Sequence, residues 1–146
     1  MRKLEDASHL KGGTPNNDTL YSRAWVYLKD EPVILSVPAI PDRYYTMEIV
    51  DFMGDNSAYV GTRATGTKAG DYAIVGQGWK GALPVGVTAL PPSSTPWATI
   101  LGRTFLKDEG DLKTVFAIQD QYKLTRCRSG GSRREPRPKG RISGNP

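Results

Sequence analysis

Residues 20–28 (LYSRAWVYL) set Leu20, Ala24, Val26 and Leu28 against Tyr21, Arg23, Trp25 and Tyr27. A two-residue period in aromatic and β-branched side chains predicts a strand buried at least partly on both faces. Asp30-Glu31-Pro32 breaks it, and residues 33–37 predict a second strand, closed by Pro38 and Pro41. The clearest alternation lies in residues 44–52, where Tyr45, Met47 and Ile49 oppose Thr46, Glu48 and Val50. Gly54-Asp55-Asn56 has turn chemistry and leads into residues 57–62, which predicts a hairpin. Residues 72–75 and 97–105 add further strands. No run before residue 107 keeps helical periodicity for ten residues.

One helix is predicted, within residues 108–123, where Asp108 or Asp111 can cap the first N–H groups. Leu112, Val115, Phe116, Gln119 and Tyr122 form its stripe, which needs a surface to pack on. Short strands separated by turn signals, with one amphipathic α-helix near the C-terminal end of the domain, predict a mainly β fold. The expected architecture is an antiparallel β-sandwich or barrel. From Arg126 onward Cys127 and Ile142 are the only hydrophobic residues. Residues 126–146 are therefore expected to form a basic, disordered tail, since they bury too little to offset their ordering entropy.

The 146 residues suit one domain with its own core. The net charge of +5 is unevenly placed, because residues 1–125 sum to −1 and residues 126–146 to +6. Seven basic residues in the tail can neutralise phosphates, but no aromatic interleaves them, so no specific nucleic-acid binding is expected. A single Cys excludes an internal disulfide, and a single His excludes a His-cluster metal site. The uncharged stretch 81–102 contains Pro84, Pro91, Pro92 and Pro96 and predicts no membrane span. The N-terminus has no apolar run behind its basic residues, so the chain by itself reads as cytoplasmic.

Gly76-x-Gly78-x-x-Gly81 has dinucleotide-fingerprint spacing, but Pro84 and Gly86 follow where a helix is required. No Asp or Glu stands between Asp71 and Asp108 to hold a ribose. The motif is read as a glycine-rich turn, and no cofactor or metal is expected. His9 and Cys127 fall outside the strand-forming core, which disfavours a Ser-His-Asp or Cys-His mechanism. Glu48 and Asp51 sit three apart on a strand and so face opposite ways, whereas Asp51 and Asp55 are placed to converge around the turn. Asn16-Asn17-Asp18-Thr19 suits an Asx turn at strand entry or a polar floor for a ligand. Arg43, Arg63 and Arg103 each adjoin apolar strand residues. They are either paired within the fold or present guanidinium forks to a carboxylate, phosphate or sugar hydroxyls. Tyr44, Tyr45 and Trp79 add stacking surface. The candidate ligand-binding set is Asn17, Asp18, Arg43, Tyr45, Arg63, Trp79 and Arg103.

The run Asn16-Asn17-Asp18-Thr19-Leu20-Tyr21-Ser22 followed by Ala24-Trp25 resembles the opening signature of the family called domain of unknown function 1254. The resemblance continues through Arg43-Tyr44-Tyr45, Gly61-Thr62-Arg63-Ala64-Thr65-Gly66, Gly76-Gln77-Gly78-Trp79-Lys80-Gly81, Gly102-Arg103-Thr104 and Gln119-Asp120-Gln121-Tyr122. It covers residues 15–125, leaving residues 1–14 as a polar leader. It implies a second β-rich domain, numbered 1214, as the usual partner, and an exported or periplasmic setting for members bearing a signal segment. The flanks depart from the family pattern, so a copy truncated at both ends, with an out-of-frame tail, is expected. The function expected first is a non-catalytic binding or structural module for a polar small molecule, a carbohydrate or a sister domain. The alternatives are a hydrolase using Asp18 or Asp51 with Arg assistance, and a non-functional fragment.

Overall fold

The computed structural model describes Asn16 and residues 18–127. Its elements are β1 (Thr19–Tyr27), β2 (Val33–Val37), β3 (Tyr45–Asp51), β4 (Asn56–Gly61), β5 (Gly70–Ile74), β6 (Val87–Ala89) and β7 (Trp97–Phe105). A short 3₁₀ turn (Glu109–Asp111), α1 (Leu112–Gln119) and β8 (Lys123–Arg126) follow. One sheet has the order β1-β7-β3-β4 and the other β6-β5-β2-β8. Every pairing is antiparallel except β5 with β6.

Alternation builds the sandwich. On β3 and β2 every second residue is buried. Met47, Ile49 and Ile100 of the first sheet share one core with Leu35, Val37 and Ile74 of the second. The two sheets stay separate, so the fold is a sandwich with no closed barrel. A smaller cluster of Leu20, Leu106 and Val115, flanked by Leu112 and Phe116, seats α1 over the start of β1 and the end of β7.

The structure departs from the sequence reading at three places. The helix is shorter than residues 108–123, because Asp108 caps the 3₁₀ turn, accepting from Asp111 N at 3.2 Å, and Gln119 ends α1. Tyr122 still packs on the main core, from the connection to β8. Two strands were not expected, β6 and β8. Strand β8 places Arg126 in the second sheet, and Cys127 behind it is buried with its N–H on Pro32 O at 2.9 Å. The ordered fold therefore includes these first two residues of the expected tail. His9, the leader 1–14 and residues 128–146 lie outside the described residues.

Candidate functional site

The outward side chains of the first sheet line up in rows across its strands. Tyr21 lies opposite Arg103, which lies opposite Thr46; Arg23, Leu101, Glu48 and Tyr59 form the next row. Over these rows, beside the start of β1, opens a cleft of about 680 Å³. Asp18, Tyr44, Glu48, Tyr59, Arg63 and Arg103 contribute to its walls.

Arg63 is carried by a tight turn after β4. The carbonyl of Gly61 accepts from the N–H groups of Ala64, Thr65 and Gly66 at 3.0, 2.9 and 3.1 Å. Gly61 has a φ of +148°, and a Cβ there would stand 2.4 Å from Tyr45 O. Only glycine fits both the angle and the close approach. The turn sets the Arg63 guanidinium 5.6 Å from the centre of the Tyr44 ring, and Arg103 sits 4.8 Å from that of Tyr21. A ring face attracts a cation without using its N–H donors. Among the described residues, neither guanidinium makes an ion pair or a hydrogen bond. Tyr59 donates a long hydrogen bond to Glu48 at 3.4 Å. Partial burial, with the negative Glu48 beside it, raises the Tyr59 hydroxyl above its ordinary pKa. The cleft therefore holds two free cationic forks, two carboxylates and aromatic walls.

Of the candidate set, the structure brings Asp18, Tyr45, Arg63 and Arg103 to this cleft. Tyr45 is fully buried, with its hydroxyl donating to Gly66 O at 3.3 Å, so its ring belongs to the core and offers no stacking face. Arg43 is engaged elsewhere. Its Nη1 donates to Asp111 Oδ2 at 2.7 Å and Phe105 O at 2.9 Å, and its Nη2 to Asp111 Oδ1 at 3.0 Å. That fork, with the N–H of Lys107, overcomes burial and holds the Asp111 carboxyl down to about 2. Trp79 lies in the Gly76–Gly81 turn, away from the cleft, with its ring against Gly81. Asn17 lies outside the described residues. Asn16 forms the turn at strand entry, its Oδ1 accepting from Thr19 N at 3.1 Å and its amide donating to Thr19 O at 2.9 Å.

Asp51 does not join the arginines. It closes the β3–β4 turn at the other end of β3, accepting from Met53 N at 2.8 Å, Asp55 N at 3.0 Å and the Ser94 hydroxyl. These bonds, that of Ser94 foremost, lower its pKa against the effect of burial. The carboxylate is buried and serves the turn. Glu48 and Tyr59, absent from the candidate set, enter the cleft as a cross-strand pair on the outward face. Alternation put Glu48 on that face; its neighbours across the sheet depend on register. Among the described residues no three His, Cys, Asp or Glu side chains group to hold a metal. No helix among them is long and apolar enough to cross a membrane.

The model of a family described as a protein of unknown function (DUF1254) matches residues 1–126. The chain belongs to this family. The DUF1254 match begins at the first residue, taking in the segment set apart as a leader, and stops where β8 stops. The crystal structure of the VPA0106 protein from Vibrio parahaemolyticus is similar, with a TM-score of 0.73 and 30% identity. The similarity covers 90% of this DUF1254 chain and 33% of that protein, so the chain spans about a third of the relative's length. None of the curated proteins matches it.

Proposed function

We propose that this DUF1254 domain is a binding module whose outer-face cleft takes a polar small molecule bearing a carboxylate. The supporting observation is the pair Arg63 and Arg103, held by aromatic faces at one cleft and without ion-pair partners among the described residues. Guanidinium forks match carboxylate geometry, and walls of Tyr44 and Tyr59 restrict water around the bound anion. Glu48 and Asp18 orient hydroxyl or amine groups on the same ligand. The reading requires no covalent chemistry.

Isothermal titration with small mono- and dicarboxylates and hexoses tests it. Carboxylates are expected to bind, and Arg103→Ala to weaken them on the order of 10–100-fold, as for a lost charge-assisted bond. Its melting temperature should barely change, because no ion pair is broken. Failure of every carboxylate to bind, or equal binding by Arg63→Ala and Arg103→Ala proteins, refutes the reading.

A further inference from the structure

Beyond the cleft, the same sheet face changes character. Moving along β7 from Arg103 toward its start, the outward positions are Leu101, Thr99 and Trp97. Val50 and Trp25 flank Thr99, and Tyr27 lies opposite Trp97, with ring centres 4.8 Å apart. Trp25 is 59% exposed and Trp97 48%. Phe52 and Met53 continue the surface from the β3–β4 turn, at 65% and 76%. Phe52 is tied there by its N–H to Thr95 Oγ1 at 2.8 Å, and that hydroxyl donates to Trp97 O. Exposed apolar residues scattered singly need no explanation, but a contiguous group marks a contact surface.

Two features choose its occupant. Beyond Leu101 the strip offers few hydrogen-bonding groups, and the Thr99 hydroxyl is already committed to Ala24 O at 3.2 Å. The pair Arg63 and Arg103 stands at the cleft end, the next row carries Arg23 and Glu48 on either side of Leu101, and beyond that row the face is apolar around Thr99 and Trp97. From Arg103 to Thr99, which Trp25 faces, is four residues of β7, about 13 Å of strand. A long acyl chain reaches roughly 15 Å, half the thickness of a bilayer's hydrocarbon core. We infer that the ligand is a free anionic amphiphile, with its carboxylate at Arg63 and Arg103 and its tail laid over Leu101 and Val50 to Trp25, toward Trp97. This inference rests on the cleft's binding a carboxylate and adds the tail.

The test titrates the full chain with acetate, dodecanoate below its micelle-forming concentration, and dodecanol, reading heat and tryptophan fluorescence. Dodecanoate should bind on the order of 100-fold tighter than acetate, since each methylene laid on apolar surface adds favourable transfer. Arg103→Gln should weaken dodecanoate and leave dodecanol unchanged. Trp25→Ser with Trp97→Ser should reduce dodecanoate to the acetate level while acetate binding stays intact. If that pair lowers the melting temperature, Trp25→Ser alone, at a side chain 59% exposed, asks the same question. Acetate and dodecanoate binding equally would overturn the amphiphile and leave the carboxylate cleft standing; failure of both would remove the two together. Dodecanol binding as tightly as dodecanoate would overturn the role of the arginines. Binding to anionic vesicles without binding monomeric dodecanoate would assign the face to a membrane surface, and concentration-dependent self-association without ligand binding would assign it to protein contact; either result overturns the inference.

Discussion

Asp111→Asn removes the charge that holds Arg43 in place. In the native fold the two side chains are 12% and 13% exposed, and Arg43 makes two bonds to the carboxylate and one to Phe105 O. The substitution leaves a largely enclosed guanidinium with a single backbone acceptor and one weaker side-chain acceptor. Breaking a fully buried pair costs about 3–5 kcal/mol, and water at the edge of this one reduces the cost to about 2 kcal/mol. The titration of Asp111 leads to a similar figure. Its carboxyl falls from 3.8 to about 2 on folding, a linkage of at most about 2.4 kcal/mol before screening. The folded pKa is depressed, so this stabilisation is complete above about pH 4 and disappears as pH falls through about 2. Thermal melting followed by circular dichroism should show the variant about 8–10 °C below the native protein at pH 6, at about 4–5 °C per kcal/mol for a domain of this size. The gap should narrow steadily between pH 4 and pH 2. Equal melting at pH 6, or a gap that persists unchanged to pH 2, refutes the argument that the pair organises this end of the sandwich.

Gly61→Ala forces a Cβ to 2.4 Å from Tyr45 O at a φ of +148°; a loss of about 2–5 kcal/mol is expected from strain plus overpacking, read by urea denaturation. Asp51→Ala leaves two backbone N–H groups and the Ser94 hydroxyl without their acceptor, for a loss of about 2–4 kcal/mol at neutral pH. Because the native Asp51 pKa is lowered, this difference is present above the ordinary carboxylate range and shrinks on acidification, which melting curves across pH will register.

Much of the sandwich was legible because strands β2, β3 and β7 are half-buried and alternate. Residues 97–105 and 33–37 were bounded as they occur, and the run at 44–52 differs from β3 by one residue at each end. Strand β8 gave no such signal, since all four of its residues are exposed and only backbone pairing with β2 defines it. Strand β6 has three residues between prolines and pairs in parallel with β5, a contact with no local trace. The helix was read too long because Tyr122 continues the apolar spacing past a turn that breaks the helix but keeps the ring on the core. In the candidate site, Arg103 adjoins apolar strand residues and stands on the outward face of β7. Arg43 has the same local appearance, and only the fold reveals Asp111 as its partner.

Both sheets join strands from opposite ends of the described chain. Thr19 of β1 faces Phe105 of β7, and Val33 of β2 faces Arg126 of β8. The β3–β4 hairpin is the local pairing available early in synthesis. As the polypeptide emerges, β1 must wait for β7 before it can pair, and β2 keeps one unpaired edge until the residues around Arg126 have left the ribosome. Loop closure over such separations places folding among the slower topologies, on the order of milliseconds to seconds. During that wait the aromatic strand β1 is a hydrophobic segment without a neighbour, the kind of surface that chaperones hold. Among the described residues, the last strand to be made is therefore also the one that completes the sheet opened by β2.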